Sequence, residues 1–458
     1  MTARASETES LLRQTLDRAA AYLRGLEDRP VYPSPSSLAE LDQLPTELPA
    51  DPTSPERVLG LLDRYGSPAT VVSNGGRYFG FVIGGSLPAA LAANWLAGAW
   101  DQNTAVRTMS PVATRLEATA LEWIRDVLGL PPGTRGAFVT GDTVANLSGL
   151  AAARHAVLET VGWDVEARGL FGAPATTVVV GEEVHVSVLK ALALLGLGRD
   201  RVVRVPTDDQ GRMHADRLPE LHGPAIVCAQ AGNVNTGSFD PLREVCERSH
   251  RAGAWVHVDA AFGLWARASP ARRALAEGVE EADSWAIDAH KWLNVPYDSG
   301  VAFVREGRHL RAAMSGTAAA YLPQSALGEP MEYVPEMSRR ARGVDAWAAL
   351  LSLGRSGLAD LVERCCCLAS RMATLLRAGG CRVLNDVVLN QVLVSFGSDD
   401  ETRRVIDAVQ RDGTCWCGGT VWHGTTAMRI SVSSWATTDD DIDRSASAIL
   451  RIASQRPS

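Results

Sequence analysis

Short apolar runs alternate with amphipathic segments through the middle of the chain, between about residues 110 and 305. Helices are predicted at about 111–128, from 143 onward, at 187–196 and at 241–252. Runs that are apolar along their whole length are typical of strands buried on both faces, as in a parallel sheet covered by helices. The pattern therefore predicts an α/β fold with a seven-stranded, mostly parallel sheet. The predicted strands are 136–140, 176–180, 202–205, 225–229, 254–258, 284–287 and 300–304.

The segments on either side differ from this pattern. Residues 1–75 contain an amphipathic helix at about 7–25, a Pro-rich stretch and a short helix at about 55–65, and have little core of their own. We predict a helical arm that helps to join two subunits. Residues 76–338 form the expected large domain, and residues 339–458 a smaller α+β domain. Its predicted elements are helices at 345–378, at 401–412 and after Thr438, with strands at 381–384, 387–396 and 427–433.

Composition narrows the functional classes. The chain is 46% hydrophobic and 21% charged, with a net charge of −8 and no basic stripe, so nucleic acid is not an expected partner. The apolar stretch 87–100 is too short to span a bilayer, and the start lacks the apolar core of a signal peptide. We expect a soluble, cytoplasmic protein without a membrane partner. The cysteines are interpreted as buried apolar residues, with no disulfide and no metal site; they are Cys228, Cys246, Cys365, Cys366, Cys367, Cys381, Cys415 and Cys417.

Lysine usage introduces the candidate chemistry. The chain has two lysines, Lys190 and Lys291, beside 43 arginines. Lys291 follows an apolar run in SWAIDAHKW. Arginine can replace the charge of lysine but cannot form a stable imine, so a lysine kept at such a turn indicates Schiff-base chemistry and a pyridoxal phosphate cofactor. Two alternatives remain open: the scarcity of lysine reflects only the base composition of the genome, and Lys291 is an ordinary exposed charge.

Three motifs at predicted strand ends precede this lysine. In TGDTVAN, Asp142 and Thr143 open a helix whose N–H groups can bind an anion, with the Asp142 side chain expected to turn away. In GEEVHVS, His185 can stack on a flat ring. In VHVDAAFG, Asp259 ends an apolar strand, where a carboxylate needs a partner such as a protonated pyridine nitrogen. Taken singly, the first two motifs are also typical of simple capping turns.

Together these stretches resemble the group II pyridoxal-phosphate-dependent amino-acid decarboxylases, which include aromatic-L-amino-acid, histidine and glutamate decarboxylases. The resemblance extends from about residue 77 to residue 444, and DAHKW and HVDAAFG are its most specific motifs. It implies a fold-type I architecture, a homodimer with active sites at the interface and pyridoxal 5′-phosphate as cofactor. By motif position it implies an aldimine at Lys291, a ring-nitrogen contact at Asp259, ring contacts at Ala261 and His185, and phosphate contacts at Asp142 and Thr143, with Thr236 and His290 nearby.

The substrate side departs from the family pattern. The run Gly80–Ile83 is more apolar than in aromatic decarboxylases, so Phe81 and Ile83 are candidates for an apolar wall that fits a small or aliphatic substrate. The loop at about 318–337 aligns poorly: Tyr321 matches another position, and Tyr333 is only near the family's loop tyrosine. Arg429 either binds the substrate carboxylate or forms a structural ion pair.

These features predict decarboxylation of an L-amino acid to its amine and CO₂. Two alternatives remain open on the same scaffold: aminotransfer, and an aldehyde-forming oxidative deamination that follows decarboxylation. A protein that binds the cofactor without catalysis is a third.

Overall fold

The computed structural model describes residues 3–316 and 328–455. Helices alone precede the first strand. α3 runs on into a π-helical turn, and α4 occupies the apolar stretch 87–100, which the sequence pattern did not predict to be a helix. These elements are α1 (Ala3–Arg24), α2 (Pro35–Ala39), α3 (Pro55–Leu61), α4 (Pro88–Trp100) and α5 (Pro111–Val127).

Strands and helices alternate through the middle of the chain, as predicted. The strands are β1 (Arg135–Val139), β2 (Thr177–Gly181), β3 (Val203–Val205), β4 (Ala225–Gln230), β5 (Trp255–Asp259), β6 (Ser284–Asp288) and β7 (Gly300–Val304). The helices are α6 (Asp142–Glu159), α7 (Val165–Arg168), α8 (Val186–Leu194), α9 (Leu242–Arg251), α10 (Ala289–Trp292) and α11 (Gly307–Met314).

In the part of the chain that the structure describes, these seven strands form one sheet in the order β1-β7-β6-β5-β4-β2-β3. The pairs from β3 to β6 are parallel, whereas β7 runs antiparallel to both β1 and β6. The mostly parallel seven-stranded sheet is thus confirmed. Since carboxyl ends of neighbouring parallel strands meet at one edge, Asp259 and Asp288 end side by side.

A smaller antiparallel sheet follows, in the order β10-β11-β9-β8 within the described residues. Helix α12 has a break at Gly354, where φ is 61°. The predicted strand 387–396 is too long, because only residues 391–395 pair. The elements are α12 (Arg342–Ala378), β8 (Arg382–Val383), β9 (Gln391–Ser395), α13 (Asp399–Asp412), β10 (Gly418–Trp422), β11 (Thr425–Ser431) and α14 (Asp439–Ser454).

Neither the arm nor any later helix of the described residues has the length and apolar character needed to cross a bilayer. The domain boundaries expected at residues 75 and 338 remain a prediction.

Candidate active site

Lys291 lies one helical turn beyond the buried strand β6. Its side chain is 17% exposed, and its Nζ lies 3.0 Å from Oδ2 of Asp288, the last residue of that strand. A Cβ on Gly84 would fall on the Lys291 carbonyl oxygen, so the approach of these two segments requires glycine. Lys190, by contrast, is exposed on α8. The structure therefore separates the two lysines, and only Lys291 is enclosed.

Three buried carboxylates surround the Lys291 amine. Burial raises the pKa of Asp142, of Asp259 and of Asp288. Burial alone would lower the pKa of Lys291, but the charges of Asp288, Asp142 and Asp259 raise it above its ordinary value. The site thus holds one lysine cation beside three carboxyl groups, each of which disfavours the ionisation of a neighbour.

Each of these acids has one oxygen without a hydrogen-bond partner in the described residues: Oδ1 of Asp142, Oδ2 of Asp259 and Oδ1 of Asp288. A buried acceptor without a donor is costly, so the site is complementary to a ligand that supplies donors. Asp259 Oδ1 accepts the backbone N–H of Ala261 at 3.3 Å, which leaves Oδ2 directed elsewhere. A protonated pyridine nitrogen is the donor that would satisfy Oδ2, so these residues fit pyridoxal phosphate.

His185 is the N-cap of α8 and is linked to Asp142 through Ser187. Asn146 Nδ2 donates to Asp142 Oδ2 at 2.9 Å and to Ser187 Oγ at 3.1 Å. Ser187 Oγ lies 2.9 Å from Asp142 Oδ2 and 2.7 Å from His185 Nδ1. Burial lowers the pKa of His185, with a further lowering from Lys291 and Arg429, against the opposing charge of Asp142.

The network continues from Asn146 into strands β5 and β6. Asn146 Oδ1 lies 2.7 Å from Nε2 of the fully buried His257, whose Nδ1 lies 2.8 Å from Ser284 Oγ. Trp255 Nε1, which can only donate, bonds Ser284 Oγ at 2.8 Å. Asn146 Oδ1 can only accept, so Nε2 of the neutral His257 donates to it, and His257 Nδ1 accepts from Ser284 Oγ. Burial lowers the pKa of His257 to about 3, so the ring stays neutral.

Contrary to the expectation from the sequence, the Asp142 side chain does not turn away from the site. The carboxylate is buried inside the first turn of α6 because Asn146, one turn later, and Ser187 both donate to it. The backbone at Asp142 and Thr143 still begins a helix, where N–H groups and the helix dipole favour an anion. Gly141 packs against Gly300 of β7 so closely that a Cβ on Gly300 would meet Gly141 backbone atoms at 2.6 Å.

Of the other predicted cofactor residues, His290 and Ala261 lie at the site, whereas the Thr236 hydroxyl is bonded elsewhere. His290 lies beside this helix start, with Nε2 3.5 Å from Asp288 Oδ2, and burial lowers its pKa to about 4. Ala261 is half-buried next to Asp259. The Thr236 hydroxyl, however, donates to the Gln210 carbonyl at 2.7 Å, so its hydrogen is engaged by the loop between β3 and β4.

Two of the predicted substrate residues, Phe81 and Arg429, lie beside the same stacked pair, Tyr78 and Trp416. Phe81 is largely exposed and stacks on Trp416 at 5.4 Å, while Ile83 is half-buried. Arg429 is half-buried, and in the described residues it forms no ion pair with a carboxylate, which leaves the structural ion-pair alternative without support there. The positive charge of Arg429 acts to lower the pKa of both Tyr78 and His185.

The tyrosine candidates lie elsewhere. Tyr333 ends a 3₁₀ turn beside a cavity lined by Arg107, Arg135 and Phe303, a set without any predicted cofactor residue. Tyr321 and residues 317–327 of the predicted loop lie outside the described residues.

Sequence reasoning missed Asp288, Ser187 and Tyr297. Asp288 carried a usable signal, because it ends an apolar strand just as Asp259 does, three residues before the lysine. Tyr297 packs on His290 with ring centroids 4.4 Å apart. Nothing in the local sequence of Tyr297 marks that contact, since it arises where the loop after α10 folds back.

The chain is similar to proteins of known function. A family model described as "Pyridoxal-dependent decarboxylase conserved domain" matches residues 35–396. The chain is 27% identical to tryptophan decarboxylase 1 of Oryza sativa subsp. japonica, over 94% of this chain and 90% of that protein. It is 26% identical to an aromatic-L-amino-acid decarboxylase of Bacillus atrophaeus, over 81% of this chain and 78% of that protein.

Solved structures show the same fold. Oryza sativa TDC with PLP and tryptamine matches with a TM-score of 0.91 at 24% identity, covering 99% of both chains. Rhodiola rosea 4-hydroxyphenylacetaldehyde synthase matches with a TM-score of 0.85 at 22% identity, covering 99% of this chain and 98% of the other. The fold-type I architecture expected from the resemblance is thereby confirmed.

Proposed function

Because the chain belongs to the pyridoxal-dependent decarboxylase family, we propose that it removes the α-carboxyl group of an L-amino acid as CO₂ and releases the amine. The observation that carries this proposal is the enclosed amine of Lys291, held 3.0 Å from Asp288 and faced by Asp142 and Asp259. A lysine in this setting is oriented and is not an ordinary surface charge. Its amine is the group that would attach the cofactor.

Pyridoxal phosphate, when attached to an amine, supplies an electron sink for a bond that breaks at the α-carbon. Asp259 would keep the ring nitrogen protonated through its unpaired Oδ2. His185 would lie on one face of the ring, with its position set by Ser187. The first turn of α6, at Asp142 and Thr143, would bind the phosphate beside His290. Lys291 would be the residue that holds the cofactor between turnovers and whose amine would release the product.

Arg429 bears on which bond breaks. A half-buried guanidinium without an ion pair in the described residues is a candidate partner for the substrate carboxylate. A carboxylate held in the plane of the ring is protected from loss, whereas one held perpendicular to it can leave. If Arg429 imposes the in-plane position, proton removal and aminotransfer are favoured over decarboxylation. This residue is the specific reason to keep aminotransfer as the second candidate function.

One experiment separates the candidates. The purified protein, loaded with pyridoxal phosphate, is incubated with a mixture of amino acids, and the products are identified by mass spectrometry while CO₂ and O₂ are followed. Amine and CO₂ formed without a 2-oxo acid support decarboxylation. Products that need a 2-oxo acid would show aminotransfer instead, and aldehyde with O₂ consumption would show oxidative deamination.

The assembly proposed for this chain is a homodimer. Apolar side chains that are 40% exposed or more cluster on two helices, at Leu12 and Leu16 of α1 and at Trp95, Leu96 and Trp100 of α4. An apolar surface of this kind is typical of an interface. It supports the proposal that α1 and α4 pack against a second copy.

A paired substitution tests the interface. Trp95→Asp with Leu96→Asp should convert a dimer into a monomer in light scattering coupled to size exclusion, because charges cannot be buried there without partners. Phe171→Asp is the matched control, since Phe171 is an apolar side chain that is almost fully exposed and belongs to neither helix. A monomeric parent protein, or a double variant that stays dimeric, would contradict the proposed interface.

A further inference from the structure

A second cluster of ligand-type side chains lies at the far end of α6. His155 and Glu159 lie one turn apart on α6, and His309 approaches them from α11. The ligand atoms of these three residues all lie within 4.8 Å of one another. At a rise of 1.5 Å per residue, His155 is about 20 Å along α6 from Asp142, so this cluster is separate from the Lys291 site.

The hydrogen bonding of His155 leaves its inward nitrogen as an acceptor. Nδ1 lies 2.6 Å from Oε2 of Glu166, and a bond this short to a carboxylate requires that Nδ1 carry the proton. In the neutral ring, Nε2 then has a free lone pair, and it faces Oε1 of Glu159 at 3.8 Å. A carboxylate that orients a histidine in this way is the usual outer partner of a metal ligand.

His309 adds a buried nitrogen without a hydrogen bond. The residue is 5% exposed, its ring packs edge-on against Trp255, and Nδ1 has no hydrogen-bond partner in the described residues. Nε2 faces Glu306 at 3.6 Å, which favours the proton on that nitrogen, while Nδ1 faces Glu159 Oε2 at 3.8 Å.

Three acceptors therefore converge with no donor among them. We propose that Nε2 of His155, the carboxylate of Glu159 and Nδ1 of His309 bind a divalent transition ion of the Zn²⁺ class, with solvent completing the coordination. Two imidazoles and one carboxylate suit Zn²⁺, Ni²⁺ or Co²⁺, whereas Mg²⁺ and Ca²⁺ prefer all-oxygen sites.

Binding requires a small rearrangement. Ligand atoms bound at about 2.0–2.1 Å in a tetrahedral site lie roughly 3.4 Å apart, so the present spacings must shorten slightly. Glu159 is about half exposed and can move, but Arg308 now donates to its Oε2 at 2.8 Å. Arg308 also pairs with Glu306 at 3.0 Å, so it keeps a partner when it releases Glu159. The bound ion would tie α6 to α11.

The test uses the holoenzyme, stripped of metals by chelation and then titrated with ZnCl₂ in a calorimeter. Saturable binding of one ion per chain is expected, with a rise in the thermal midpoint, because the ion binds only the folded state. Glu159→Gln and His155→Asn should each weaken binding at least tenfold while leaving decarboxylase activity without added metal unchanged. Glu159 is about half exposed, so Glu159→Gln is the variant that disturbs the buried His309 least.

His222→Asn is the control, since His222 and Glu220 form an exposed His–Glu pair, 3.7 Å apart, for which the described residues offer no third ligand. That variant should bind Zn²⁺ as the parent does. The proposal is wrong if no saturable binding occurs, or if Glu159→Gln and His155→Asn bind with unchanged affinity. Binding that disappears only after thiol alkylation would assign the ion to a cysteine and would equally overturn it.

Discussion

At the scale of single residues, Ser187 has one hydroxyl proton and two neighbouring acceptors. If Asp142 is ionised, the Ser187 hydroxyl donates to it, and His185 Nδ1 accepts only the backbone N–H of Ser187, at 3.3 Å. If Asp142 is protonated, it can donate to Ser187 and the Ser187 hydroxyl can donate to His185 Nδ1, so the proton of the neutral ring lies on Nε2 in both states. Ser187 therefore couples the protonation of a buried acid to the hydrogen bonding of the residue expected on the cofactor ring.

Replacing Asp142 should remove one ionisation from the pH dependence of the enzyme. Because burial raises the pKa of Asp142, the parent protonates this group as the pH falls, and the hydrogen bonding at His185 Nδ1 changes with it. Asp142→Asn cannot ionise, so its kcat/KM profile should lose that step on the acid side. Ser187→Ala interrupts the same link and should give a similar profile. An acid limb unchanged in both variants would contradict the coupling.

Residues of the site could be predicted where one strand end carries the signal. Asp259, His185 and Lys291 each follow an apolar run, and the structure places all three at one sheet edge. The Ser187 link could not be predicted, because it depends on how α6 and α8 face each other. The Thr236 assignment did not anticipate that the hydroxyl would bond to the carbonyl of Gln210, 26 residues earlier in the chain.

At the scale of elements, β7 braces the turn that begins α6. Adding a Cβ to Gly300 would create a contact of 2.6 Å with Gly141 backbone, which cannot swing aside like a flexible side chain. Gly300→Ala should displace this turn and weaken pyridoxal phosphate binding by about tenfold, equal to about 1.4 kcal/mol. Fluorescence titration of the apoprotein with the cofactor measures this change.

Gly60→Ala is the control for that substitution. Gly60 lies inside α3, and nothing lies within 4 Å of a Cβ placed there. Alanine is the better helix former, so this variant should bind cofactor normally and be no less stable than the parent. Equal cofactor affinity in Gly300→Ala and Gly60→Ala would show that the close approach of β7 does not position the turn.

The elements of the large sheet were predicted well because fully apolar runs identify buried strands. The same runs cannot reveal direction, so the antiparallel insertion of β7 between β1 and β6 is known only from the structure. Strand β10 begins with Gly418 and Gly419, which have low strand propensity, and it was missed. Helix α4 is apolar on nearly all sides and lacks the periodicity that marks an amphipathic helix.

At the scale of the whole molecule, buried neutral histidines make stability depend on pH. Burial holds the pKa of His257 at about 3 and that of His290 at about 4, both below the ordinary value of 6.5. At pH values between these folded-state pKa values and 6.5, the unfolded chain binds more protons than the folded one. Their contribution to stability is therefore complete above pH 6.5 and is lost progressively as the pH falls toward the folded pKa.

His257→Gln should make the protein less sensitive to acid, although less stable at neutral pH. One group that no longer takes up a proton on unfolding reduces the slope of the unfolding free energy by up to about 1.4 kcal/mol per pH unit, within about pH 3–6.5. Urea unfolding at several pH values measures the slope. His222→Gln, at an exposed histidine, should leave it unchanged. Parallel curves for His257→Gln and the parent would contradict the neutral buried state.

The most direct test of the account concerns the amine that holds the cofactor. The holoenzyme is reduced with borohydride, which makes any lysine–cofactor bond permanent, and its peptides are mapped by mass spectrometry. With only two lysines in the chain, the assignment is simple. We predict that the peptide containing Lys291 carries the phosphopyridoxyl group and that Lys291→Ala abolishes the modification. A cofactor fixed to Lys190, or to neither lysine in a holoenzyme that turns over amino acids, would contradict the central claim.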